Sequence, residues 1–268
     1  MIPFDLHTHC TLSFDGKSSA EDMVRRAAEL GVKHYALTDH VDLGDHADPD
    51  FDLEATVNGA KEQIPELQKK YAGETDLLYG VELGQFVHEP ELAKKLLSEN
   101  DYDFVIGSTH NIRGYDDFYF LDYKEYDPFR LLGTYFDELL ESAETADFDV
   151  MGHITYPLRY ITGDFGINVD LSQYAPIIDE ILRALIKRGR GIEINTSGLR
   201  QKFGRIFPDE WIVKRYRELG GVILTIGSDA HCTDDLGKGI AEGIAAAKAA
   251  GFDRIAIYKY RKPTFIRI

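Results

Sequence analysis

Short apolar runs alternating with helical patterns constrain the fold of this chain more than any other feature. Runs at 2–6, 34–38, 77–81, 104–106, 150–151, 191–194, 222–226 and 255–258 read as short buried strands. Helical patterns fall between most of them, at 53–71, 90–97, 128–145, 175–188, 209–219 and 235–250. An earlier helix opens on Ser18 and Glu21 as a capping box, buries a stripe of Met23, Ala27, Ala28 and Leu30, and ends at Gly31. Strand–helix alternation implies a parallel sheet with helical crossovers, closed into a barrel or left open and doubly wound.

The chemistry-bearing residues separate these two forms. Histidines and acids fall at the C-terminal ends of many strands, where a barrel gathers its active site. An open sheet concentrates its site at one switch point instead. The expected fold is therefore α/β, a distorted (β/α) barrel. No repeat, low-complexity tract or long linker marks a boundary, so residues 1–268 are expected to form one domain, and 44% hydrophobic residues supply its core.

Asp5-Leu6-His7-Thr8-His9 closes the first strand, and period two puts His7 and His9 on one face. Thr38-Asp39-His40, Gly80-Val81-Glu82, Ser108-Thr109-His110, Gly152-His153 and Ser228-Asp229-Ala230-His231 follow at later strand ends. Six of the nine histidines thus sit just beyond predicted strands, a pattern that favours metal ligation over scattered surface polarity. Imidazoles mixed with carboxylates, without a convincing thiolate, suit zinc, iron or manganese. About eight groups at three to four per ion imply two to three divalent ions, with a carboxylate such as Glu82 able to bridge. His34, His46 and His88 are expected to be solvated or locally hydrogen-bonded, with His46 a minor candidate for substrate contact. Cys10 and Cys232 each follow a candidate ligand histidine. Alternation turns them away, so both read as small packing residues, and two cysteines exclude a disulfide framework.

A formal charge of −16 disfavours a nucleic-acid backbone as partner but not a small phosphorylated substrate, because bound cations reverse the local potential. Solubility is the simplest reason for the acidity. No apolar segment approaches the roughly 18 residues needed to cross a bilayer, and the opening MIPFDLHTHC lacks a basic start and an apolar stretch. A cytoplasmic protein is expected.

Taken in order, these strand-end motifs resemble the polymerase-and-histidinol-phosphatase (PHP) family over essentially the whole chain. Each motif is short; the ordered set is specific. The resemblance implies a distorted seven-stranded barrel holding three metals, so one of the eight strands read here, the last being the candidate, lies outside or pairs differently. It also implies ligand groupings: His7, His9, Glu82 and Asp229; Glu82, His110 and His153; and Asp15, His40 and His231, with Asp42 competing for the place of Asp15. Asp5 and Asp39 would orient imidazoles. The segments 152–160 and 192–200, and Gly107-Ser108-Thr109-His110 followed by an aromatic loop, look like those of histidinol-phosphatase members. Polymerase-associated members sit in far longer chains.

The implied activity is metal-dependent hydrolysis of a phosphomonoester, L-histidinol phosphate, in histidine biosynthesis. Another small phosphomonoester or a nucleotide is the alternative substrate. A metal-buffering barrel is disfavoured, because so many ligands face an open barrel mouth. Asp229 or His231 would assist the leaving alkoxide. Arg159 is the candidate bidentate phosphate clamp, its alternative being a surface ion pair. Arg200, Lys202 and Arg205 form a second basic cluster, equally suited to phosphate or solvent. The loop 115–120, with Tyr119, offers aromatic faces and carboxylates for a cationic head, or simple packing.

Overall fold

The structure, a computed structural model, describes residues 2–44 and 52–268. His46 lies outside these residues. Seven parallel strands follow one another around the molecule: β1 (Phe4–Asp5), β2 (His34–Leu37), β4 (Asp76–Gly84), β5 (Phe104–Ser108), β6 (Val150–Met151), β7 (Gly191–Asn195) and β8 (Leu224–Gly227). The short β3 (His40–Asp42) extends β2 beyond a break at Thr38-Asp39 and pairs with the far end of β4. The ends of the sheet meet. Leu6 N donates to Ile226 O at 3.2 Å, Asp229 N to His7 O at 2.7 Å and His9 N to Ala230 O at 2.8 Å, so the barrel is nearly closed between β8 and β1.

Strands β5 and β7 are buried throughout, as strands covered on both faces must be. The outer layer comprises α1 (Ala20–Glu29), α2 (Leu53–Lys70), α3 (Pro90–Glu99), α4 (Pro128–Thr145), α5 (Ala175–Lys187), α6 (Glu210–Glu218) and α7 (Ile240–Ala249). Pro90 and Pro128 start their helices where the missing N–H costs nothing, and Asp127 caps α4 by accepting from Phe129 N and Arg130 N. Leu131, Leu132, Tyr135, Phe136 and Leu139 form the inward stripe of α4.

Several boundaries differ from the sequence reading. The cap of α1 is Ser19, which accepts from Asp22 N, while the Ser18 hydroxyl accepts from Thr233 N; the box is displaced by one residue. Helix α7 starts only at Ile240, because 235–239 are spent on turns carrying Gly237 and Gly239 at positive φ. The strand expected at 255–258 is β9 (Arg254–Lys259), and it lies off the barrel, antiparallel to β10 (Lys262–Arg267). Their turn seals the end of the barrel opposite the strand C-termini. Arg261 N donates to Asp103 O at 2.8 Å, Tyr260 N to Asp103 Oδ1 at 3.1 Å, and Arg261 Nε reaches Asp149 Oδ1 at 3.2 Å. Asp103 and Asp149 immediately precede β5 and β6. Among the described residues, no helix is long and apolar enough to cross a membrane.

Candidate metal centre and its cavity

Strand ends converge on Glu82, which is fully buried near the end of β4. Its Oε1 lies 2.7 Å from His153 Nε2 and 3.2 Å from His110 Nε2, and accepts from Ser108 Oγ at 2.6 Å. Its Oε2 faces His40 Nδ1 at 3.0 Å, His7 Nε2 at 3.3 Å and His9 Nε2 at 3.5 Å. None of these makes a well-aligned hydrogen bond to Oε2. Asp229 completes the group, with Oδ1 3.3 Å from His9 Nε2 and 3.8 Å from His7 Nε2. It follows β8 at φ 55, a left-handed conformation that aspartate tolerates better than most residues.

The tautomers say what this arrangement fits. His7 Nδ1 is 2.6 Å from Glu193 Oε1 and donates to it. Ser13 Oγ gives its proton to Asp39 Oδ1, so it must accept from His9 Nδ1 at 3.1 Å. With both rings neutral, both Nε2 atoms turn lone pairs toward each other at 3.1 Å, beside a bare carboxylate oxygen. That is repulsive unless a cation lies among them, and the nitrogen–oxygen donor set suits a divalent transition metal.

A second cluster is Glu82, His110 and His153, with His110 Nδ1 held by Asp42 Oδ1 at 3.1 Å. A third group gathers His40 and His231 beside Asp15, whose carboxylate is 3.0 Å from His231 Nε2 and 3.8 Å from His40 Nε2. Asp42 thus faces His110, and Asp15 is the carboxylate beside His40 and His231.

Electrostatics follow this crowding. Burial favours the neutral acid, yet the imidazoles of His7, His110 and His40 outweigh it and hold Glu82 well below its ordinary range. Against the same burial, His7 together with His9, His231 and Arg159 keeps Asp229 low. His9 is pushed down to about 3 by burial and by its neighbours His231 and His40, which leaves a neutral nitrogen donor. For His7, burial is overcome by Glu193, Glu82 and Asp229, which raise its affinity for a positive partner. A metal ion competes for that position.

The clusters open into a cavity of about 790 Å³, whose lining also includes Arg159, Arg200, Tyr119, Tyr156 and Asp117. Arg159 Nη2 donates to Ser197 Oγ at 2.8 Å and Asp229 Oδ2 at 3.2 Å, and the guanidinium lies between the rings of Tyr156 and Phe207. It is a half-buried group of the site rather than a surface ion pair. Arg200 Nη2 donates to the carbonyls of Ser228 and Asp229. Lys202 reaches the lining but pairs with Asp164 at 3.2 Å. Arg205 is outside it: past the turn at Gly204 it pairs with Asp209 and covers the Phe203 ring, so the sequence expectation for this residue is corrected.

Other residues also depart from expectation. Among the described residues Asp5 bonds no imidazole; it accepts from Ser228 N, Ser228 Oγ and Gly237 N and ties β1 to the loop after β8. Asp39 acts on His9 only through Ser13, and its other contacts are Cys10 N and Sγ. His34 bonds Asp76 on the neighbouring strand, whereas His88 is tied to Glu138 of α4, far along the chain rather than locally. Glu193 falls in the family-like segment 192–200, but the sequence reading gave it no role in the site. It holds His7 with one oxygen and accepts from His153 N at 3.0 Å with the other. Its signal was a single acid inside an apolar strand, Gly-Ile-Glu-Ile-Asn. Asn195, which donates to Asp229 Oδ2 at 3.2 Å, lies on the same strand.

A nearly closed parallel barrel with imidazole–carboxylate clusters at its strand C-termini defines a barrel built to hold metal ions at one end. A profile of the PHP domain matches residues 5–197, and the chain belongs to that family. It is 31% identical to a probable histidinol-phosphatase of Thermotoga maritima, over 94% of each chain. It is 30% identical to one from Clostridium acetobutylicum, over 91% of this chain and 92% of the other. The fold superimposes with a TM-score of 0.85 on a crystal structure of histidinol phosphate phosphatase from Lactococcus lactis, complexed with zinc, L-histidinol and phosphate. That protein shares 23% identity over 98% of this chain and 99% of its own.

Proposed function

We infer that this chain is a metal-dependent phosphomonoester hydrolase that converts L-histidinol phosphate to L-histidinol and phosphate. The observation that carries the reading is the convergence of lone-pair donors on Glu82 beside two guanidiniums at one cavity, in a chain related along its length to histidinol-phosphatases. His7, His9, Glu82 and Asp229 would hold one ion, Glu82, His110 and His153 a second, and Asp15, His40 and His231 a third. Two to three zinc, iron or manganese ions fit these donors. Bound there, they supply Lewis acidity toward phosphoryl oxygens and lower the pKa of water.

The protein's own groups do the rest. Arg159 orients the phosphoryl group: it is set against the rings of Tyr156 and Phe207 and anchored on Ser197, and its Nε has no hydrogen-bond partner among the described residues. Arg200, with Nη1 unpartnered, adds positive charge from the opposite loop. Asp229, held ionised, would take the proton released by the attacking water and pass it to the leaving alkoxide, with His231 the alternative carrier.

The test is a substrate profile of the metal-loaded protein. L-Histidinol phosphate should exceed sugar phosphates, nucleotides and phosphoserine in kcat/KM by at least about a hundredfold, an advantage of only about 2.7 kcal/mol. A nucleotide or sugar phosphate in first place would overturn the substrate while leaving the hydrolase reading intact.

A further inference from the structure

Strand β7 supplies no residue to the ion groups described above, yet it carries two polar side chains into the barrel. Alternation puts Ile192 and Ile194 on one face and Glu193 and Asn195 on the other. Ile194 faces the helices, since a Cβ added to Gly243 of α7 would meet its Cγ2 at 3.5 Å. Glu193 therefore points inward, where it is fully buried. Each of its oxygens has one partner: Oε1 accepts from His7 Nδ1 at 2.6 Å, and Oε2 accepts from His153 N at 3.0 Å. A glycine on the next strand leaves room for this carboxylate. A Cβ at Gly227 would collide with His7 Cβ and lie 2.9 Å from Glu193 Oε1.

The two partners belong to different ion groups. His7 stands with His9 and Glu82, and His153 with His110 and Glu82. Glu82 already meets both through their Nε2 atoms, at 3.3 Å for His7 and 2.7 Å for His153. The rings, 5.9 Å apart, are thus tied twice, by two different glutamates. Glu82 faces the ligating nitrogens, whereas Glu193 takes the protons that decide where those nitrogens sit. On His7 that proton is on Nδ1, which leaves the Nε2 lone pair free. His9 and His110 receive similar support at Nδ1, from Ser13 and Asp42. His153 Nδ1 has no hydrogen-bond partner among the described residues, so the outer support of His153 comes through its amide instead.

Resting on the metal reading above, we propose that Glu193 is a positioning residue shared by two ions, one carboxylate setting the ligating tautomer of His7 and fixing the backbone of His153. The role demands two acceptors in one side chain, and glutamine offers one. If the amide oxygen accepts from His7, its NH2 group opposes the His153 amide. If the oxygen accepts from His153 N, the NH2 group donates to His7 Nδ1, and the ring proton must move to Nε2, where an ion would bind. Carboxylate support of a ligating imidazole orients the ring and makes it a better donor.

The experiment loads wild type and Glu193→Gln with zinc and titrates each with a chelator of known affinity, counting the ions released. Two ions per chain should be held about ten- to a hundredfold more weakly in the variant. A space-filling role alone leaves both affinities unchanged, because glutamine has the same shape, and that result overturns the proposal. Weakening of one ion only also overturns it, since the carboxylate would then serve a single group. Should the variant fail to fold, 1H–15N spectra of the zinc-loaded wild type decide: His7 must show a slowly exchanging proton on Nδ1 and a metal-bound Nε2, and a proton on Nε2 overturns the proposal. Wild type binding less than one zinc ion per chain would instead bring down the metal reading, and this proposal with it.

Discussion

Glu82 concentrates the residue-scale chemistry, because each of its oxygens faces a different set of imidazoles. Glu82→Gln preserves its shape but removes one negative charge from among the donors. The protein should lose at least one metal ion by elemental analysis and nearly all turnover, with its circular dichroism unchanged; wild-type activity would remove Glu82 from the site. Arg159 makes a different prediction. Arg159→Ala should leave the metals bound and lower kcat/KM about ten- to a hundredfold, equivalent to about 1.5–3 kcal/mol. Arg159→Lys should recover only part of this, since an ammonium cannot reproduce the planar fork held between Tyr156 and Phe207.

At the scale of elements, the β9–β10 turn is a plug with no part in the chemistry. Arg261 supplies two of the close contacts to the buried Asp149 carboxylate, whose other partners are Val105 N and, at 3.7 Å, Arg190. Arg261→Met keeps most of the packing and strips that charge of its nearest cation. Unfolding stability should drop by about 1–3 kcal/mol in urea titrations. Metal content and kcat per folded molecule should hold, because the plug sits at the opposite end of the barrel from the donors. The sequence showed the first strand of this plug and missed the second: β10 is charged and largely exposed, without the apolar run that marks a barrel strand.

For the whole molecule, the proposed metal binding would be coupled to folding. The donors come from β3, β4 and the segments after β1, β5, β6 and β8, so the assembled site exists only in the closed barrel. Ions that bind this state alone stabilise it, by about 4 kcal/mol at a thousandfold excess over Kd. Protein purified without added metal should contain about two to three transition-metal ions per chain by elemental analysis. Chelation should abolish activity and lower Tm by calorimetry. Less than one ion per chain, with chelator-resistant activity, would refute the metal centre.

The sequence alone determined the parallel barrel and the strand ends that carry its donors, because both depend on local periodicity. Apolar runs of strand length fix the elements, and alternation with period two puts His7 and His9 on one face. Tertiary structure decided which groups meet. Glu193 and His7 are 186 residues apart, and Asp5 reaches Ser228 across 223. No local pattern encodes such pairs; the closure of β8 against β1 and the register of the strands between them do. The same geometry put Asp15 rather than Asp42 beside His231 and turned Arg205 out of the cavity, since a loop side chain's direction is set by what its backbone packs against.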